Sequence, residues 1–306
     1  MSLPAGGARP DGARTARPGI GGRTVRVAGW ETFVREAGSG PAVVLLHGSG
    51  PGTTGAAWEP LMAALTPGFR VLAPDFAGFG RSRPLPGSES GGEHPYGRRT
   101  WTAQVLGLLD ALALDRCAVV GNSMGGAIAL SVAHARPRTV ARLVGIGTLG
   151  LDMPLPPGLD RLWAYRPGRA AARGLLELLH VDDAFRTDEA VEARLAATLE
   201  PGPREAFAGM FPPPRERWVR DLALTAGELA QIQAPTLLVH GVEDRVVPLE
   251  SSTLRLLHLL PDVRAHLFAG CGHASPAERP TELHRLLTTF LEGPWTTSRS
   301  CAHPPR

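Results

Sequence analysis

The sequence predicts an α/β protein with a mostly parallel central sheet and helices on both faces. Three observations support this fold class. Short apolar runs that fit buried strands alternate along the chain with helical patterns. Most of these runs are continuously apolar, as strands covered on both faces must be. Several of them end in loops that carry Gly, Ser, Asp or His, so polar side chains should collect at one edge of the sheet.

The order of the elements follows from the same patterns. The chain opens with two alternating segments that predict an antiparallel hairpin, over residues 24–28 and 30–34. Strand and helix patterns then alternate as far as residue 146, and this rhythm returns at residue 235. We expect strands over 43–46, 69–73, 118–120, 140–146, 235–240 and 265–268, and helices over 57–65, 102–114 and 124–135.

The interruption of the rhythm predicts a helical lid over residues 152–228, inserted between two halves of the core. This segment has helical patterns, loops rich in Pro and Arg, and no obvious strand. An insertion at this point would cover the carboxyl ends of the strands, where ligands of such sheets bind. The predicted α/β core is 23–151 together with 229–292, with a disordered leader at 1–22 and a flexible tail at 293–306.

The composition limits the function classes. Hydrophobic residues make up 43% of the chain and charged residues 20%, which is ordinary for a globular protein. The net charge is only +3 and the basic residues are scattered, so we expect no nucleic-acid partner. There is no lysine, which excludes Schiff-base chemistry through that residue. We expect no cofactor, no metal site and a small-molecule substrate, with a homodimer left open.

The cellular compartment is predicted from cysteines and apolar segments. Three widely spaced cysteines indicate a reducing compartment without a disulfide framework. No apolar stretch approaches the roughly 20 residues that span a membrane. The N-terminus has no apolar core of the kind found in secretory signals. We therefore expect a cytoplasmic protein that does not bind membranes.

The most informative motif is GNSMGG at residues 121–126, directly after the apolar run 117–120. A Gly-x-Ser-x-Gly pattern between a buried strand and a helix is typical of a nucleophile elbow, with Ser123 at the tip of the turn. The small neighbours let strand and helix pass close together. By itself the pattern also fits a glycine-rich turn that happens to contain a serine.

A candidate acid and a candidate base follow two later strands. Asp244 lies in the loop after 235–240, and His273 lies in the loop after 265–268. The chain order serine, acid, histidine is that of an α/β-hydrolase triad. His273 would take the proton from Ser123, and Asp244 would orient His273 and stabilise its cation. Asp152 is a second candidate acid, because it also follows a strand.

The candidate oxyanion hole lies in the sequence HGSGPG at 47–52, after the apolar run 41–46. Glycines leave backbone N–H groups accessible, and the helix predicted after the elbow presents its positive end to the same place. We expect the amides of Ser49 and Met124 to converge on one oxygen. His47 is interpreted as a structural hydrogen-bonding residue, not as a second base.

These strings, together with DFAGFGRS at 75–82 and HGVEDRVVPL at 240–249, resemble the meta-cleavage-product hydrolases over about residues 24–292. The resemblance implies an α/β-hydrolase that cuts a C–C bond in 2-hydroxy-6-oxo-hexa-2,4-dienoate-type products of aromatic ring opening. It implies that Arg194 in the lid grips the dienoate carboxylate. The predicted substrate-binding set is Gly48, Asn122, Arg194 and Trp218, of which Trp218 also fits simple packing within the lid.

Two departures from the family pattern keep other functions open. The family has Trp directly after the catalytic histidine, where this chain has Ala274, and it has an Asn in the region where residues 53–59 contain none. Both positions line the dienol pocket in the family. A carboxylesterase or lactonase acting on another small acyl substrate therefore stays open. So does a catalytically silent ligand-binding protein with the same fold.

Overall fold

The computed structural model describes residues 19–88 and 95–293, which form one sheet flanked by helices. The strands are β1 (Gly21–Val27), β2 (Trp30–Ala37), β3 (Ala42–Leu46), β4 (Arg70–Pro74), β5 (Arg83–Pro84), β6 (Cys117–Asn122), β7 (Val140–Ile146), β8 (Thr236–Gly241) and β9 (Val263–Phe268). Their order in the sheet is β1-β2-β4-β3-β6-β7-β8-β9, with β5 paired to β2.

The helices cover both faces of this sheet and fill the insertion between β7 and β8. They are α1 (Glu59–Leu65), α2 (Arg98–Ala111), α3 (Met124–Ala135), α4 (Pro157–Trp163), α5 (Arg169–Leu179), α6 (Asp188–Thr198), α7 (Pro203–Met210), α8 (Glu216–Leu222), α9 (Ala226–Ala230), α10 (Thr253–Leu259), α11 (Ser275–Glu278) and α12 (Pro280–Glu292). Among the residues described, no helix is long and apolar enough to span a bilayer.

The sheet is antiparallel where β1, β2 and β5 pair and parallel from β4 to β9, as the alternating pattern predicted. Strand β3 shows why its residues are all apolar. Its successive side chains point to opposite faces, so Val43 and Leu45 pack in one hydrophobic cluster and Val44 and Leu46 in the other. Both clusters are buried under helices, and a polar residue on either face would therefore be buried.

The predicted bounds of two central elements match the structure, and those at the N-terminus and at the end of the insertion differ by a few residues. Helix α3 and strand β7 have the predicted limits. Strand β1 begins at Gly21, so the first two residues of the core were assigned to the leader. Helix α9 crosses the predicted boundary between residues 228 and 229. The rest of the leader (1–18) and nearly all of the tail (294–306) lie outside the described residues.

Candidate active site

Ser123 occupies the turn between β6 and α3 in a conformation that L-residues rarely adopt, with φ 57° and ψ −120°. Its N–H donates to Ile146 O on the neighbouring strand at 2.9 Å. The glycines around it are required by close approach. A Cβ at Gly125 would lie 2.2 Å from Leu46 O, and one at Gly121 would lie 2.1 Å from Gly125 O. The turn therefore holds Ser123 at the carboxyl edge of the sheet.

Asp244 and His273 are in contact at the ends of β8 and β9. His273 Nδ1 lies 2.7 Å from Asp244 Oδ2. The other carboxylate oxygen, Oδ1, accepts hydrogen bonds from the N–H groups of Val246 and Val247, both at 2.8 Å. These bonds fix the carboxylate plane. Asp244 can therefore hold the imidazole in one orientation and stabilise its cation.

The environment keeps Asp244 ionised. Burial raises the pKa of this carboxyl, but the adjacent His273 and the hydrogen-bonding His240 outweigh burial and hold the pKa below its usual range. His240 Nε2 lies 3.3 Å from Asp244 Oδ2, and it also lies 2.8 Å from Val247 O. His240 is thus part of the support of Asp244. Asp152, the second candidate acid, has an exposed side chain and does not take this place.

Ser123 and His273 line the same cavity and are both nearly buried. Within the described chain, their side chains share no hydrogen bond. Catalytic hydrogen bonds are often long before a substrate binds. Gly147 leaves room for the pair, since a Cβ there would lie 3.1 Å from Asp244 Oδ2 and 3.2 Å from His273 Nδ1.

The loop after β3 lies beside Ser123. A Cβ built on Gly48 would be 3.1 Å from Ser123 Cβ, which shows how closely the two backbones approach. Within the described chain, the N–H groups of Ser49 and Met124 donate to no protein acceptor. Both amides are therefore available to an oxyanion, which is the role that the sequence assigned to them.

His47 holds this loop and does not act as a base toward the cavity. Its Nε2 accepts a hydrogen bond from Phe76 N–H at 3.1 Å, and its Nδ1 lies 2.8 Å from Gly48 O. Because Nε2 accepts a hydrogen bond, it carries no proton, and the ring is neutral with both nitrogens in use. Burial lowers the pKa of His47 in agreement with this. This geometry agrees with the structural interpretation of His47.

The cavity has a volume of about 670 Å³ and lies between the sheet edge and the helical insertion. Asn122 and Gly48 line it from the core, and Arg194 lines it from α6. Asn122 Nδ2 donates to Ile146 O at 2.9 Å, which leaves its carbonyl oxygen on the side of Gly48. The cavity is large enough for a small organic acid, and most of its other lining residues are apolar.

Arg194 has no ion-pair partner among the described residues. Its one hydrogen bond within the described part of the chain is long, 3.4 Å from Nη1 to Pro51 O. Burial lowers the pKa of Arg194, with a smaller opposing effect from Tyr165, yet an arginine stays charged at neutral pH. A partly buried guanidinium without a carboxylate partner is suited to bind an anionic ligand.

Trp218, which the sequence placed in the substrate-binding set, does not line the cavity. Its indole N–H donates to Pro212 O at 2.9 Å, and its ring packs edge-on against Phe211 with centroids 6.2 Å apart. This position favours the other role that the sequence allows for Trp218, packing within the lid. Its side chain contributes to the core of the insertion, because α8 turns this face toward other helices and not toward the cavity.

Three residues near the site were missed by the sequence reasoning. Trp163 donates to Ser49 Oγ, His180 lines the cavity, and Glu278 joins the insertion to the loop of His273. Each acts through a contact with a segment far away in the sequence, so no local pattern marks it. His180 directly follows α5, and nothing in the local sequence there marks it as a cavity residue.

The sheet order, the turn at Ser123 and the Asp244–His273 pair define a hydrolase of the α/β class. A family model described as the alpha/beta hydrolase fold matches residues 41–280. The chain belongs to this family and, by the relatives that follow, to its branch of meta-cleavage-product hydrolases.

Two curated relatives cover nearly all of the described chain. A 2-hydroxy-6-oxo-2,4-heptadienoate hydrolase of Pseudomonas putida is 43% identical over 272 residues, which are 88% of this chain and 96% of the relative. A 2-hydroxymuconate semialdehyde hydrolase of a Pseudomonas species is 39% identical, over 88% of this chain and 93% of the relative.

Solved structures agree with these relatives. A meta-cleavage product hydrolase from Pseudomonas fluorescens IP01 is similar with a TM-score of 0.83 and 35% identity, over 89% of this chain and 97% of that one. A 2-hydroxy-6-oxo-6-phenylhexa-2,4-dienoate hydrolase from Rhodococcus has a TM-score of 0.78 and 29% identity, over 89% and 98% of the two chains. The family prediction from the sequence is therefore confirmed.

Proposed function

We propose that this hydrolase cleaves a C–C bond of a 2-hydroxy-6-oxo-hexa-2,4-dienoate-type ring-cleavage product, with Ser123, His273 and Asp244 as its triad. The relatives named for such substrates support the bond that is cut. The structural observation that carries the proposal is Arg194. Its guanidinium has no ion-pair partner among the described residues and lines the same cavity as Ser123 and His273. An acid whose carboxylate is held by Arg194 would therefore lie in the cavity of the nucleophile.

The chemistry follows from these positions. His273 accepts the proton of Ser123 as Oγ attacks the C6 carbonyl, and the amides of Ser49 and Met124 hold the oxyanion. Cleavage takes place in the 2-oxo tautomer of the substrate, in which the enol proton has moved from the C2 oxygen to C5. The bond from C6 to C5 then breaks, and its electron pair is delocalised through C4 and C3 onto the oxygen at C2. The proton held by His273 passes to the dienolate product, which leaves His273 neutral. Water, activated by His273, finally releases the acyl group from Ser123 as a carboxylic acid.

The helical insertion acts as the lid over the site, a role supported by Arg194, which it contributes to the cavity.

We also propose a cytoplasmic homodimer. The two cysteines in the described part of the chain are buried and unbridged, which suits a reducing compartment, and the exposed apolar side chains of Val242 and Leu267 lie by the edge strand β9. Light scattering on the purified chain tests the dimer.

Comparison of two substrate classes tests the proposal. The wild-type chain should turn over methyl-ketone and aldehyde dienoates with far higher kcat/KM than p-nitrophenyl esters of similar size. Ser123→Ala should lower turnover of both by several orders of magnitude while the protein stays folded. Ser131→Ala is the matched control, since it removes a buried hydroxyl from the same helix outside the cavity and should leave turnover unchanged.

Two results would favour a different function for this protein. Good ester turnover without cleavage of any dienoate would make the chain a carboxylesterase. Failure of a fluorophosphonate probe to label Ser123 in the folded protein would favour a ligand-binding protein with this fold. The hydrogen bond between the ionised Asp244 and His273 favours catalysis over the binding protein, because a receptor has no need of it.

A further inference from the structure

His180 is the residue of the cavity that the catalytic scheme leaves unused. It follows the last turn of α5, is 6% exposed, and lines the cavity together with His273 and Arg194. Its ring stacks flat on Phe185, with centroids 4.8 Å apart and planes inclined by 8°. The stack fixes the ring plane. The imidazole is therefore a rigid polar group on the insertion side of an otherwise mostly apolar wall.

Neither ring nitrogen of His180 is paired within the described protein. Nδ1 is buried without a hydrogen-bond partner, and Nε2 makes no hydrogen bond either. Burial lowers the pKa of His180 to about 4; Glu278 opposes this effect, and Arg194 adds to it. The ring is neutral at pH 7 and so offers one donor and one acceptor. An unpaired polar group at this depth is unfavourable, and a ligand that hydrogen-bonds it removes this penalty.

The carboxylate of Glu278, which acts electrostatically on His180, does not hydrogen-bond its ring. One oxygen of Glu278 accepts from the N–H groups of Val181 and Asp182, at 2.7 and 3.1 Å, and the other accepts from Gly272 N–H at 2.7 Å. Glu278 is thus fully used in joining backbone segments. These bonds fix the backbone after His180 against the loop that carries His273.

The neighbouring backbone leaves the ring open toward the reacting centre. Ala274, directly after His273, donates its N–H to Leu179 O at 3.1 Å, so the two loops run side by side. The side chain at this point is only a methyl group, and both Ala274 and His180 line the cavity. The imidazole therefore faces ligand space beside His273 and within the field of Arg194.

We propose that His180 is a specificity-determining residue that hydrogen-bonds the oxygen on C2 of a 2-hydroxy or 2-oxo acid whose carboxylate is held by Arg194. The proposal rests on the proposed function for the identity of that acid. A 2-oxygenated acid carries its two polar groups on adjacent carbons, which matches one cation and one neutral imidazole close to each other. A neutral ring can donate to a ketone oxygen or accept from an enol hydroxyl.

Calorimetric titration of the full chain tests this without requiring turnover. The ligands are 2-oxopentanoate and pentanoate, which differ only in the oxygen at C2. Wild type should bind 2-oxopentanoate about tenfold more tightly than pentanoate, as one hydrogen bond to a buried group predicts. His180→Phe keeps a ring to stack on Phe185 and should reduce this ratio to about one, with little change for pentanoate. His180→Gln, which retains a donor and an acceptor, should restore part of the ratio.

The controls separate this proposal from the proposed function. His258→Phe alters an exposed histidine of α10 and should keep the wild-type ratio. Arg194→Gln should weaken the binding of both acids. An unchanged ratio in His180→Phe, or the absence of any preference in wild type, overturns the role of His180. Failure to cleave dienoates overturns only the proposed reaction, because binding of the two acids does not depend on it.

Discussion

The indole N–H of Trp163 donates a hydrogen bond of 2.9 Å to Ser49 Oγ, which ties helix α4 of the insertion to the loop after β3. Trp163 is itself held in place, since its ring stacks on Phe211 with centroids 4.4 Å apart and planes inclined by 10°. Because the Ser49 amide is a proposed oxyanion donor, the position of the insertion is coupled to the position of that donor.

Removal of this bond should slow the reaction without unfolding the protein. Trp163→Phe keeps the ring stack and loses the donor, and we expect kcat to fall about 3- to 10-fold, since one neutral hydrogen bond is worth about 1 kcal/mol. Ser49→Ala should lower kcat by about the same factor. In a double-mutant cycle the double variant should be no worse than either single one. If the loss in kcat of the double variant equals the product of the two single losses, the two side chains act independently, which would contradict this coupling.

Glu278 should stabilise the junction between the insertion and the loop of His273. Glu278→Ala leaves three backbone N–H groups without their acceptor, and we expect the free energy of unfolding to fall by about 2–4 kcal/mol. Glu278→Gln keeps one acceptor oxygen and should lose less. Glu282→Ala, at an exposed site on α12, is the control for urea unfolding. Equal stability of Glu278→Ala and the control would contradict this role.

Arg194 should discriminate acidic from neutral substrates. Arg194→Gln should lower kcat/KM on dienoates about 10- to 100-fold, because a charge-assisted hydrogen bond to the carboxylate is lost. Hydrolysis of a neutral p-nitrophenyl ester should change less than threefold, since that substrate offers no carboxylate. Arg169→Gln, an exposed arginine on α5, serves as the control. Equal losses on both substrates would remove Arg194 from the binding site.

Protonation of His180 should weaken the fold in mild acid. Burial lowers its folded pKa to about 4, opposed by Glu278 and assisted by Arg194, Arg186 and His273. The unfolded chain, with a pKa near 6.5, therefore binds the proton first. The contribution of His180 to the free energy of unfolding is fully present above pH 6.5. About 3 kcal/mol of this free energy is lost as the pH falls from 6.5 to 4.

Urea unfolding at several pH values measures this effect. His180→Phe lacks the titrating ring, so its free energy of unfolding should fall less than that of wild type between pH 6.5 and 4. Other buried histidines contribute equally to both proteins and cancel in the comparison. Parallel pH profiles for the two proteins would show that His180 does not titrate in this way.

Much of the fold could be predicted from the sequence because it depends on local patterns. The limits of α3 and β7 follow from hydrophobic patterns and from the turn at Ser123, and the parallel sheet follows from the alternation. The roles of Ser123, Asp244 and His273 remain predictions, although the structure brings Asp244 and His273 into contact.

The interior of the insertion could not be predicted in this way. Trp163 and Trp218 both lie on short helices and both pack against Phe211. Yet the indole N–H of Trp163 donates to Ser49 in the core, and that of Trp218 donates to Pro212 within the insertion. His180 has the local sequence of an ordinary helix end. Such differences arise from how the insertion folds over the core, which brings residues about 100 positions apart into contact. No periodicity within the insertion encodes that arrangement.

The central claim is that Ser123 supports hydrolytic cleavage of the C5–C6 bond of a 2-hydroxy-6-oxo-dienoate. The most direct measurement is product analysis by mass spectrometry after reaction in water enriched in oxygen-18. The account predicts 2-hydroxypenta-2,4-dienoate and a carboxylic acid that has gained one labelled oxygen, with neither product formed by Ser123→Ala. Intact dienoate after incubation with wild-type enzyme that hydrolyses p-nitrophenyl esters rapidly would contradict it.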